Sequence, residues 1–233
     1  INTYEAGHPI PDEHSIIGAR KIFNILNKAG KNDIVFAAIT GGASAMTVLP
    51  PDDITLEDIQ IINELLLKSG AVIAEMNTVR RHLCLLKGGN LVKHAQPAQI
   101  ITITLETVGD DVMPWPDMSK VDTTTFGDAI NILNYYDLFD KTPKSIRKYL
   151  LKGLEHPEIE TIKSFEGMNQ VLISVGNPAT ACQAAAKRAE ALGYNSYILS
   201  TNIEDVYKRQ GHALRELRRK FSSIIDLLRS LVR

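Results

Sequence analysis

The chain has 233 residues, a formal net charge of -1 and 44% hydrophobic content. That length suits one large α/β domain with or without an appendage, and the apolar content is enough to fill its core. The near balance of 26 basic and 27 acidic residues argues against a general nucleic-acid binder, which gathers basic charge on one surface. Cys84 and Cys182 stand far apart and suggest neither a metal pair nor a secreted disulfide framework, so a reducing cytoplasm is the expectation. No apolar run nears the roughly 20 residues that cross a bilayer, and no signal peptide is recognisable, so no membrane partner is expected. The chain opens on Ile1 rather than Met, and an upstream segment is expected.

Apolar runs alternate with helical patterns, the sequence form of an α/β domain. Residues 16–28 read as a helix with Ile17, Ile22, Phe23 and Leu26 turned inward, ending near Gly30. Residues 33–40 form a short, almost wholly apolar strand, a pattern suited to a sheet covered on both faces. It runs directly into Gly41-Gly42-Ala43-Ser44-Ala45. Thr55 and Asp58 make a capping box for a helix over 56–69, and Gly70 stands at its end. A second helix is predicted over 74–86, stopping at Gly88-Gly89. Residues 100–105 read as a strand, and 108–125 as a loop long enough to serve function. Helices over 126–136 and 144–152 follow, then a strand at 171–175. An alanine-rich helix from Asn177-Pro178 to Leu192 precedes a last strand at 194–199. After Glu204 the character changes. Residues 212–233 are arginine-rich and amphipathic, with Leu214, Leu217, Phe221, Ile224, Ile225, Leu228 and Leu231 near helical spacing.

Four places could carry chemistry. At the strand end, Gly41 and Gly42 let backbone N–H groups approach an anion, and Ser44 adds a hydroxyl, with Ala43 and Ala45 completing the turn. The Gly-Lys-Ser/Thr ending of a P-loop and the third glycine of a dinucleotide fingerprint are both absent. In the second place, helical spacing sets Asn77, Arg80, Cys84 and Lys87 on one side and Met76, Val79, Leu83 and Leu86 on the neighbouring side. Such a polar ridge suits phosphate or carboxylate, although a solvated helix face has the same pattern. In the third, a proline-stiffened loop presents Glu5, His8 and Asp12, with His8 either a general base or a turn-stabilising group. In the fourth, Asp110 and Asp111 after Gly109 are either a Mg²⁺ site or solvent-facing loop carboxylates.

The segments EAGHPIPDEHS (5–15), ITGGASA (39–45), ITLEDIQ (54–60) and LLLKSGAVIAEMNTVRRHLCLLKGGNL (65–91) resemble, in order and spacing, the glycerate 2-kinase family. TTTFGDAINIL (123–133) and NPATACQAAAKRAEALGY (177–194) extend the likeness as far as Glu204. The resemblance implies a Rossmann-like α/β fold, largely parallel, with helices on both faces of the sheet. It also implies ATP-dependent phosphoryl transfer to a hydroxyl of D-glycerate, with Mg²⁺, in a cleft between two domains. On this reading the turn Gly41 to Ala45, with Arg80 and Lys87, holds glycerate carboxylate or nucleotide phosphate. Asn77, His8 and Glu5 assist binding, and Asp110 serves Mg²⁺. Residues 1–204 then form the N-terminal-type domain, incomplete at its start, and 205–233 a helical tail foreign to it. Several positions depart from the family pattern. Ala43 stands where a third glycine is usual, and Met113-Pro114-Trp115-Pro116-Asp117 replaces a Gly-Pro-Thr loop. The family's Gly-Lys segment would precede Ile1. The expectation is therefore a fragment of a kinase, inactive by itself, with a non-catalytic nucleotide- or sugar-phosphate-binding domain as the alternative. A homo-oligomer is left open.

Overall fold

The computed structural model describes residues 2–106 and 117–201. Helix α1 (Glu13–Leu26) begins at Asp12, whose carboxylate accepts the Ser15 N–H at 2.9 Å. Its buried positions are Ser15, Ala19 and Leu26. Ile17, expected inside, is 42% exposed, because it lies about 200° around the helix from Ser15. Strand β1 (Ile34–Ile39) leads into the single turn α2 (Ala43–Met46). Helix α3 (Leu56–Ser69) starts at the Thr55–Asp58 capping box, with bonds of 3.0 and 3.1 Å, as the spacing predicts. Helix α4 (Ile73–His82) ends short of the expected Leu86. Gly88 and Gly89 then turn the chain into α5 (Asn90–Ala95), a helix the sequence pattern did not announce. Gly89 has φ of 80°, and a Cβ there would come within 2.9 Å of the Ile162 side chain. Only glycine fits that turn without strain.

Strand β2 (Gln99–Leu105), helices α6 (Phe126–Tyr135) and α7 (Lys144–Glu155), strand β3 (Gln170–Gly176) and helix α8 (Pro178–Ala191) complete the described elements, with two short 3-10 turns. The three strands form one sheet in the order β1-β2-β3. Strand β1 pairs with β2 in parallel, from Ile34 opposite Gln99 to Ile39 opposite Thr104. Ile100 N–H donates to Asn169 and Glu106 N–H to Gly176, so β3 also runs parallel to β2. The fold is thus a parallel-sheet α/β fold with helices around the sheet, as expected. Two local expectations fail. Strand β1 is the edge of the described sheet, and Ile34 and Phe36 are 58% and 66% exposed, so it is not covered on both faces among the described residues. Residues 194–199 form no strand: their β-favouring composition finds no described strand to pair with, and pairing makes a strand.

The described residues divide into two compact units, one of residues 2–104 and 117–174, the other of 105–106 and 175–201. The first holds the main apolar core, where Ile62 and Leu66 of α3, Val79 of α4, Phe126 and Leu133 of α6 and Ile146 and Leu150 of α7 are nearly or fully buried. Each such side chain contributes roughly 1.5–3 kcal/mol of transfer free energy. The second unit contains α8, whose start is capped by the Asn177 side chain accepting the Thr180 N–H at 2.8 Å. Most of residues 205–233 were expected to form an amphipathic tail, and all of them lie outside the described residues. No described helix is long and apolar enough to cross a membrane.

Candidate functional site

The end of β1 passes through Thr40 into Gly41-Gly42. Gly42 has φ of 88°, and a Cβ there would sit 2.9 Å from the Met46 methyl and 3.6 Å from the His8 ring. His8, from the proline-stiffened loop, therefore lies against this turn. Of the five amides of the turn, Ala43 N–H is taken by the Thr40 carbonyl and Ala45 N–H by the Gly42 carbonyl. The amides of Gly41, Gly42 and Ser44 meet no hydrogen-bond acceptor among the described residues.

Two buried charges support the turn from below. Lys87, 1% exposed, donates its Nζ–H to the Ser44 carbonyl, and the Ser44 hydroxyl donates to Asp117 Oδ2 at 3.3 Å. Asp117 is itself 3% exposed. Burial pushes the Lys87 amine below its ordinary value and the Asp117 carboxyl above its own, and each charge draws the other part of the way back. Ser44 is thus held at both its carbonyl and its hydroxyl.

Beside them stands Arg80. Its Nε–H donates to Asn63 Oδ1 at 2.6 Å and its Nη1–H to Asn77 Oδ1 at 3.4 Å. Its Nη2 is buried with no hydrogen-bond partner among the described residues. Burial lowers the guanidinium's pKa and Asp117 raises it, but arginine stays a cation in either case. Arg80, Asn63, Lys87, Ser44 and Pro11 line a recess of about 20 Å³.

The expected ridge of Asn77, Arg80, Cys84 and Lys87 is therefore not an exposed helix face. Asn77, Cys84 and Lys87 are 3%, 4% and 1% exposed, and Cys84 Sγ accepts the Leu49 N–H. Because α4 stops at His82, Lys87 is carried by the following turn and reaches the recess from another direction. Arg80 and Lys87 do converge there, with Asn77 behind Arg80. Glu5 is exposed, and its carbonyl meets His14 Nδ1 at 2.8 Å. Asp110 lies outside the described residues. Asn63 and Asp117, both central, were not singled out from sequence, and their separation from Arg80 and Ser44 along the chain left no local signal. The buried pair of Arg81 Nε and Asp122 Oδ2 at 3.1 Å carried no sequence signal either. Nor did His82, whose two ring nitrogens meet the Thr78 carbonyl at 2.8 Å and Glu160 Oε1 at 2.9 Å.

A Gly-Gly turn at the end of a parallel strand is the place where α/β folds turn backbone amides toward the sheet's edge. The chain belongs to the family described as a domain of unknown function (DUF4147), which it matches over residues 1–151. It is a homologue of glycerate kinases. The glycerate 2-kinase of Pyrococcus horikoshii is 43% identical over 213 residues, which cover 91% of this chain and 48% of that protein. A crystal structure of a Pyrococcus horikoshii protein superposes with a TM-score of 0.72 at 42% identity, over 82% of this chain and 44% of that one. That of Thermotoga maritima glycerate kinase gives 0.70 at 34% identity, over 83% and 45%. The chain spans about half the length of these relatives.

Proposed function

We propose that the whole protein containing this chain is an ATP-dependent D-glycerate 2-kinase, and that the described recess is part of its substrate site. The observation that carries this reading is the convergence of Arg80 and Lys87 on one recess lined also by Ser44 and Ala45. The likeness to glycerate kinases supplies the substrates. In such a transfer the protein acts mainly by positioning and by charge. Here Arg80 binds an anionic group of a substrate, the free amides of the Gly41–Ala45 turn and Asn77 assist it, and His8 borders the turn. Lys87 holds Ser44 in place from beneath and adds positive potential. Glu5 belongs to the same reading as a more distant binding residue. The described residues do not form a magnesium site by themselves, since no three His, Cys, Asp or Glu side chains come together among them. Asp110 is the residue assigned to Mg²⁺ from sequence. We place the enzyme in the cytoplasm, with D-glycerate and ATP as its partners.

The test is the full-length protein assayed with ATP, Mg²⁺ and D-glycerate by coupled release of ADP. Arg80→Ala is expected to lose about 1.5–3 kcal/mol of transition-state binding, roughly 10- to 100-fold in kcat/KM. The present chain alone should give no turnover, because it spans about half of an enzyme whose two substrates must be held in line. Nucleotide binding by a folded full-length protein, with no glycerate-dependent ADP, would make it a binding domain instead.

A further inference from the structure

Helix α2 is a single turn, Ala43–Met46, and none of its residues is buried. An isolated helix needs roughly 12–15 residues to be even marginal in water, so contacts from outside must hold this one. Its flanks are fixed, since Ile39 before it and Val48 after it are buried. Between those two points the described side-chain hydrogen bonds both fall on Ser44. Lys87 donates to its carbonyl, and its hydroxyl donates to Asp117 Oδ2 at 3.3 Å.

Lys87 and Asp117 do not act from separate places. The Gly89 N–H donates to the Asp117 carbonyl at 2.9 Å, so the backbone of Asp117 is bonded to the turn that follows Lys87. Both side chains are buried, and close packing leaves them little freedom to follow Ser44 if it moved. The carbonyl bond alone lets the turn pivot about one oxygen. The hydroxyl bond removes that pivot.

The setting of Asp117 is otherwise hard to account for. A buried carboxylate is costly unless it is paired or hydrogen-bonded. Among the described residues no cationic nitrogen lies within ion-pair distance of it. The one side-chain hydrogen bond described for it comes from Ser44. Lys87, Arg80 and Arg81 feel its charge over a longer range, which is a service to charge balance and does not place the turn.

We propose that Asp117 is a positioning residue: through the Ser44 hydroxyl it closes, opposite Lys87, a two-sided clamp that fixes the Gly41–Ala45 turn. The clamp needs an acceptor oxygen at this position, while the negative charge serves the neighbouring cations. The consequence for catalysis rests on the kinase reading; the clamp itself does not.

The experiment is amide hydrogen exchange by NMR on the purified chain, under conditions where exchange tracks the opening equilibrium. The probes are Ala45 and Met46, whose N–H groups both donate to the Gly42 carbonyl, with the buried Leu150 of α7 reporting global unfolding. Asp117→Ala should speed exchange at both probes by roughly tenfold or more. Asp117→Asn keeps an acceptor oxygen without the charge. It should restore most of that protection, although both variants lose the counter-charge and melt below the parent. Ser44→Ala should match Asp117→Ala at the probes, and the double variant should lose no more than either single, because the two groups make one bond. Since Ser44 is only half-buried, that variant carries the test if Asp117→Ala does not fold. Equal exchange in the Asn and Ala variants would make Asp117 a counter-charge alone and overturn the clamp. Unchanged exchange in Ser44→Ala, or additive losses in the double variant, would overturn it as well. In the full-length protein, kcat/KM for glycerate-dependent ADP release should fall by roughly tenfold or more in Asp117→Ala and recover in Asp117→Asn. Parent-like turnover in Asp117→Ala would overturn the positioning role. If the full-length parent releases no ADP, the kinase reading fails, and exchange at Ala45 and Met46 still decides the clamp.

Discussion

Glu160 shows how a single residue ties distant segments to the site. Burial pushes its carboxyl upward, but the bond from His82 and the N–H groups of Thr161 and Phe126 outweigh that and hold it at about 2 instead of 4.5. Its folded value is depressed, so its stabilisation is fully present above 4.5 and is lost as the pH falls from there toward 2. After discounting for a side chain still 19% exposed, the loss is on the order of 1–2 kcal/mol. Urea unfolding of the parent should show this fall, and Glu160→Gln should be less stable at neutral pH and keep only the shallower slope left by Asp122 and the other depressed carboxylates. An equal slope in the variant would assign the acid sensitivity elsewhere. None of this was legible in the sequence, because His82 and Glu160 meet across 78 positions of chain. Arg80 and Lys87 were legible as functional residues by type. Their burial was not, since residue type and periodicity do not reveal what packs on a polar side.

The start of α3 was readable, because the Thr55–Asp58 box is local, closed within three residues, and nothing distant competes with it. The Asp12 and Thr125 caps of α1 and α6 are equally local but were not read, and α1 starts at Glu13 rather than at residue 16. The end of α4 was not readable, because the apolar period continues to Leu86. The helix stops early where Leu85 N–H donates to the Leu49 carbonyl at 2.8 Å, a tertiary bond that overrides the local pattern. The contact between α6 and α7 is equally unforgiving. A Cβ on Gly153 would lie 2.2 Å from Phe126 Cγ, so α7 approaches the Phe126 ring with only a hydrogen between them. Alanine is the better helix former by about 1 kcal/mol, but a rigid ring beneath it cannot yield. Gly153→Ala is expected to destabilise the chain by about 1–3 kcal/mol in chemical denaturation. Unchanged stability would mean that the two helices separate at no cost.

At the scale of the molecule, the alternation of strands and helices announced a parallel α/β fold. The sequence could not tell an edge strand from a central one, because a strand's cover is decided by what lies beside it. Ile34 and Phe36 read as core and stand open among the described residues. The same limit applies to function. Motifs distributed over nearly the whole chain announced the family, while the partners of Arg80 and Lys87 are set by packing that no motif encodes.

The deep placement of Lys87 makes it a chemical reporter. An acylating reagent that attacks neutral amines modifies Lys68, whose side chain is 75% exposed, without waiting for any motion. Lys87 has no such access, so its acylation can proceed only as fast as the surrounding structure opens. Peptide mass spectrometry over a time course should find Lys87 far behind Lys68, and equal rates would mean that the turn is not seated on it. Saturating D-glycerate should widen that gap. The slow lysine would then act as a clock for the opening of the recess, readable without a turnover assay.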